Sequence, residues 1–152
     1  RFIFRKEWTV LYISRIFVYG TLLSGMSNHK RFCGDALTVE PAVTTGLLYH
    51  LPYGFPAMFD APDGQVFGEV MTFPDIENTL ARLDRLEGYH PGGMSHCLRT
   101  MKKAMLLGID EPISVWAYVY PHQRLLEISR NLKPIENGCW RTYFSVKEQI
   151  LH

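Results

Sequence analysis

Only one stretch of this chain, Phe73 to Tyr89, carries a clear helical period, and elsewhere glycine and proline break it into short β-rich runs. In that stretch Ile76, Leu80 and Leu83 mark an apolar stripe, Pro74 suits a first helical position, Asp75 and Glu77 favour the positive end, and Gly88 is the expected stop. The 12 Gly and 9 Pro of the 152 residues argue against a bundle. Counting roughly five to seven strands, one helix and few crossovers predicts an α+β fold: an antiparallel or mixed sheet curled into a small barrel, with the helix packed against it.

The strands are read from their punctuation. Ile16 to Tyr19 ends in Gly20-Thr21-Leu22-Leu23, and Ser24-Gly25 and Ser27-Asn28 mark loop. Val43 to Leu51 is β-rich, with Gly46 signalling a bulge or a close backbone approach. Pro52 to Pro56 is an irregular turn, Ala57 to Phe59 a short strand, and Asp63-Gly64 a hairpin signal before Gln65 to Phe73. Met94 to Leu107 holds at least one long strand. Ile113 to Tyr120 alternates with apolar or aromatic residues on both faces, which predicts a central strand. Ser145 to His152 is expected to form a terminal helical turn.

Glu87 is the residue that local structure does not explain. At about 100° per residue it falls within about 40° of Ile76, Leu80 and Leu83, so its carboxylate faces the core, while Arg82 and Arg85 point to water. It also lies in the last turn, where the helix dipole is negative. An acid there costs stability twice, and such groups concentrate at functional sites. The second informative element is Tyr19-Gly20-Thr21-Leu22, where glycine permits close ligand approach and successive N–H groups can form an anion cradle, although a simple turn fits these residues equally.

Composition narrows the function. A net charge of +1, with no basic block interleaved with aromatics, gives no field suited to nucleic acid or an anionic membrane. The apolar run Trp8 to Val18 is broken by Arg15 and is too short to span a bilayer. Cys33, Cys97 and Cys139 are odd in number and far apart, so a disulfide framework or structural zinc is not expected, and a reducing compartment, the cytoplasm, is. Residues 1–13 read as an extension or expression remnant, and residues 14–152 as one domain. No metal or other cofactor is indicated, and assembly into a homo-oligomer stays open.

Several short motifs occur in a shared order. Phe17-Val18-Tyr19-Gly20-Thr21-Leu22, Phe55-Pro56-Ala57-Met58, Val66-Phe67-Gly68-Glu69-Val70, Leu83-Asp84-Arg85-Leu86-Glu87-Gly88-Tyr89 and Gly138-Cys139-Trp140-Arg141 together resemble the gamma-glutamylcyclotransferase-like superfamily. The resemblance implies a compact mixed barrel with a cavity at one end, Glu87 as catalytic acid/base, and backbone N–H groups of Tyr19, Gly20, Thr21 and Leu22 gripping the α-carboxylate of a small γ-glutamyl substrate. The implied reaction converts a γ-glutamyl amine or peptide to 5-oxoproline and a free amine. His96-Cys97-Leu98-Arg99 departs from the family's aromatic strand start, so that wall of the site differs.

Other residues carry two readings each. Tyr118, Trp140 and Tyr143 either wall a pocket or pack in the core. Glu69 faces the cavity or water, and Asp84 is expected to pair with a basic group. The histidines lack a spacing that suggests metal ligation. A non-catalytic small-ligand binding protein that keeps the cavity is the alternative function.

Overall fold

The structure is a computed structural model that describes residues 13–151. The reading of residues 1–13 as an extension therefore falls, Ile13 apart, outside the described residues. Five strands close a mixed barrel in the order β1-β5-β2-β6-β7: β1 (Arg15–Val18), β2 (Thr38–Thr45), β5 (Gln65–Thr72), β6 (Leu98–Leu106) and β7 (Pro112–Val119). All neighbours are antiparallel except β1 and β7, which close the barrel in parallel where Ile16 meets Trp116. The indole Nε1 of Trp116 donates to the Ile13 carbonyl (3.1 Å) and Arg15 Nε to the Ser114 carbonyl (3.2 Å), reinforcing this short seam. Ile16, Phe17 and Val18 are all buried, so β1 is covered on both faces and reads as an unbroken apolar run.

The remaining strands, β3 (Leu47–His50) and β4 (Pro56–Phe59), form their own two-stranded sheet. This corrects the Asp63-Gly64 hairpin. The strands flanking that dipeptide do not pair with each other: β4 pairs with β3, and β5 with β1 and β2. The β2–β5 ladder runs to Thr45↔Gln65, then resumes as Leu47↔Phe59 across the extra residues 60–64. The chain thus makes one long ribbon, kinked at Gly46, and its true turn is at Pro52–Phe55. Gly46 marks a close approach, because a Cβ there would lie 2.9 Å from the Phe59 carbonyl oxygen.

Four α-helices are described: α1 (His29–Cys33), α2 (Ile76–Glu87), α3 (Leu125–Asn131) and α4 (Trp140–Leu151). Helix α2 is the one expected, but it starts at Ile76 with Asp75 as its cap, whose side chain accepts from the Asn78 amide, so Pro74 lies just before the helix and not at its first position. Thr79, Leu80 and Leu83 are its buried residues. Arg82 does not simply face water: it reaches Asp35 (3.3 Å) and the Phe32 carbonyl, tying α2 to α1. Helix α4 begins five residues before the expected turn at Ser145. Trp140 is 1% exposed and stacks on the partly buried Phe144 one helical turn later, an i, i+4 contact that supports the first turn of the helix.

Candidate functional site

The last turn of α2 ends at Gly88, which takes the left-handed conformation (φ 67°) and donates its N–H to the Asp84 carbonyl. This stop leaves Glu87 on the wall of a cavity of about 180 Å³. The same cavity is lined by Tyr19, Gly20, Thr21 and Leu22, together with Tyr118, Phe55 and Pro56. Glu87 has no ion-pair partner among the described residues. Its one described hydrogen bond comes from the Cys97 thiol, 3.9 Å from Oε2. Burial raises the Glu87 carboxyl to about 7, and the Cys97 contact opposes that rise only weakly. Burial in turn pushes the Cys97 thiol up to about 12, so it stays a protonated donor.

The loop after β1 divides its polar groups in a way suited to an anion. Every carbonyl from Gly20 to Ser24 has a partner: Gly20 accepts from the Leu23 amide, Thr21 from the Asn28 amide, Leu22 from His29 Nδ1, Leu23 from the Met26 amide and Ser24 from Arg141 Nη2. The amides of Leu23 and Ser24 are also used, on the Gly20 carbonyl and Glu69 Oε1. The amide N–H groups of Gly20, Thr21 and Leu22 have no acceptor among the described residues. Three neighbouring free donors with the acceptors neutralised is the electrostatics of a carboxylate cradle. Gly20 is required for this loop to pass β4, since a Cβ would lie 2.7 Å from the Pro56 ring.

The tyrosines frame the pocket rigidly. Tyr19 donates its hydroxyl to the Tyr118 carbonyl (2.7 Å), and Tyr118 donates its own to Asp84 Oδ1 (2.6 Å). Burial is the main cause that raises both phenols, which remain neutral. Asp84 pairs with Arg99 (2.9 Å), whose guanidinium also lies over the Tyr89 and Trp116 rings. Behind Cys97, the Tyr120 hydroxyl meets His96 Nε2 at 3.3 Å, and burial followed by the nearby Arg124 charge lowers His96.

Of the residues singled out in the sequence, Glu87, Tyr19, Gly20, Thr21, Leu22 and Tyr118 share this cavity. Trp140 does not line it. Its Nε1 donates to His50 Nδ1 (2.9 Å), and its ring packs in the core between His50 and Phe144. Tyr143 is likewise away from the lining and against His50. Glu69 faces neither cavity nor open water: it is held on Ser24 and Arg141. Sequence reasoning missed Phe17, Val18, Asn28, Phe55, Pro56 and Leu86 as lining residues. Leu86 lies about 100° round the helix from Glu87, off the apolar stripe, so the helical period did not point to it; Asn28 offered only a loop signal. Among the described residues no group of three or more His, Cys, Asp or Glu is arranged to hold a metal ion, and no helix is long and apolar enough to cross a membrane.

Comparison with known proteins adds three findings. The family model described as Gamma-glutamyl cyclotransferase, AIG2-like matches residues 16–142. The chain is similar to the gamma-L-glutamyl-butirosin B gamma-glutamyl cyclotransferase of Niallia circulans, 30% identical over 117 residues that cover 77% of this chain and 73% of the relative. Its fold is similar to that of YkqA from Bacillus subtilis (TM-score 0.64, 21% identity, 90% of this chain and 42% of that one). It is also similar to an AIG2-like protein from Mus musculus (TM-score 0.61, 23% identity, 81% of this chain and 86% of that one). The chain thus spans less than half of the Bacillus protein, and at these identities the two structures establish the fold alone.

Proposed function

This chain belongs to the gamma-glutamyl cyclotransferase, AIG2-like family, and we propose that it converts a γ-glutamyl amine or peptide to 5-oxoproline and a free amine, with Glu87 as the acid/base. The observation that carries this reading is the shared cavity: on its wall, among the described residues, one acid has no counter-ion and three amides have no acceptor. In the proposed pose the substrate α-carboxylate accepts from the N–H groups of Gly20, Thr21 and Leu22. Tyr19 and Tyr118, fixed by their own hydrogen bonds, form the wall beside it.

The chemistry then needs two protons moved from the α-nitrogen to the departing nitrogen. Glu87 takes a proton from the α-ammonium, and the freed amine attacks the γ-carbonyl carbon. A ring C–N bond forms, Glu87 gives this proton to the departing nitrogen, and the original amide C–N bond breaks; the second proton that the ring nitrogen sheds in becoming the lactam N–H passes through Glu87 to the released amine, which leaves as its ammonium. No water is consumed, and Glu87 ends as it began. A carboxyl whose burial brings it to about 7 can both accept and donate near neutral pH. Holding amine and carbonyl in a ring-closing pose supplies much of the remaining acceleration.

A screen of γ-glutamyl amines and dipeptides for 5-oxoproline release tests the proposal, with Glu87→Gln as control. The swap is nearly isosteric, and we expect a folded variant whose turnover falls by about 10²-fold or more. Turnover at the wild-type level in that variant would remove Glu87 from the mechanism. Wild-type chain that binds 5-oxoproline but turns over no γ-glutamyl compound would be a ligand-binding protein instead.

A further inference from the structure

Two of the shared motifs have no part in the chemistry proposed so far: Val66–Val70 with Glu69, and Gly138–Arg141 with Arg141. They meet on one residue. Ser24 donates its amide N–H to Glu69 Oε1 and its hydroxyl to Glu69 Oε2, both at 2.7 Å. Arg141 Nη2 donates to the Ser24 carbonyl at 2.8 Å and lies 3.6 Å from Glu69 Oε2. All three polar groups of Ser24 are therefore held, from β5 on one side and α4 on the other.

We infer that Glu69 and Arg141 are positioning residues, which clamp Ser24 so that the preceding loop keeps its amides of Gly20, Thr21 and Leu22 in carboxylate-binding shape. The inference rests on reading that loop as the substrate's carboxylate site. Its physical basis is the contrast between the two ends of the loop. The first end leaves β1 directly, after Val18, and is fixed by the barrel. The second end has no strand or helix to hold it until α1; besides turn bonds within the loop, Asn28 holds Thr21 and His29 holds the Leu22 carbonyl, and the Ser24 clamp is the one tie to β5 and α4 among the described residues. Between them Leu22 and Leu23 are buried, so a displaced Ser24 moves the cradle with it.

A stability role alone fits poorly. Arg141 is 40% exposed and its ion pair is long, so the pair itself adds little. The Glu69 side chain is only 13% exposed and accepts two short charge-assisted bonds, both from a single loop residue. Their energy is spent on the shape of one loop.

The test compares wild-type chain with Glu69→Gln and Ser24→Ala. Glutamine keeps one acceptor and loses the other along with the charge; alanine removes only the hydroxyl and is the milder change. Amide exchange is measured in the ligand-free chain, 5-oxoproline affinity by titration, and kcat and KM on whichever γ-glutamyl compound is turned over. For Glu69→Gln we expect the Leu23 and Asn28 amides to exchange faster, and 5-oxoproline affinity and KM to worsen about tenfold, with kcat within about twofold of wild type. Ser24→Ala is expected to move the same quantities in the same direction, less far. Unchanged exchange and affinity in both variants would overturn the clamp. So would a collapse of kcat at constant KM, which would place Glu69 in the chemistry. If no γ-glutamyl compound is turned over even by wild type, the proposed reaction fails, while exchange of the loop amides still decides the clamp.

Discussion

At the scale of single residues the account turns on what burial does to Glu87. An isolated carboxylate moved out of water prefers its proton, and here no cation offsets that preference among the described residues. The consequence for stability has a definite sign. Below the ordinary carboxyl range Glu87 is protonated in both folded and unfolded chains and contributes nothing. As pH rises, the unfolded chain ionises first, so folded stability falls until pH passes about 7 and is level beyond. The loss corresponds to at most about 3 kcal/mol. Glu87→Gln abolishes this slope, so urea unfolding at pH 8 should find the inactive variant more stable than wild type, with the difference vanishing near pH 4. Catalysis has the opposite dependence. The base form is needed to take the substrate proton, so kcat/KM should climb through about pH 7. Cys97→Ala removes the weak donor to Oε2, and the midpoint of that climb should move upward. A downward move would mean that the thiol does not favour the charged acid.

At the scale of elements, α2 is the part that delivers the acid. Leu83 is fully buried on the same face, so Leu83→Ala should cost about 2–5 kcal/mol in chemical denaturation and lower the population of assembled site. Gly88 sets where the helix stops. A Cβ at its φ of 67° is strained and would lie 2.9 Å from His96 Cβ, so Gly88→Ala should destabilise by roughly 1 kcal/mol or more and reduce turnover, readable by melting and by 5-oxoproline release. The same helix was the most legible element of the sequence, because its stripe is long enough to repeat and glycine ends it. Helix α1 has five residues and one buried side chain, Cys33, and α3 has seven with Ile128 alone buried, so neither offers a period to read. The Asp63-Gly64 signal was locally sound but misassigned, because pairing across β2–β5 and β3–β4 is decided by partners far away in the chain. Glu69 was unreadable for a similar reason: the residue it holds lies 45 positions earlier.

At the scale of the whole molecule, barrel closure is what brings the pieces of the site together. The parallel contact of β1 with β7 places Tyr19 beside the Tyr118 carbonyl, and the antiparallel contact of β1 with β5 brings the loop after β1 to Glu69. The barrel type and the packed helix could be read from punctuation and period; the meeting of the loop and α2 at one cavity could be read only through family resemblance, and the β4 edge beside them was not read at all, since none of these contacts is local. The central claim is that one acid and one set of amides act on the same bound molecule. It is tested most directly by titrating the chain with 5-oxoproline and following, in one NMR experiment, the amides of Gly20, Thr21 and Leu22 and the side-chain carboxyl carbon of Glu87. We expect both sets of signals to move and to saturate at one shared affinity. Amide shifts with a silent Glu87 carboxyl, or two unrelated affinities, would contradict the account.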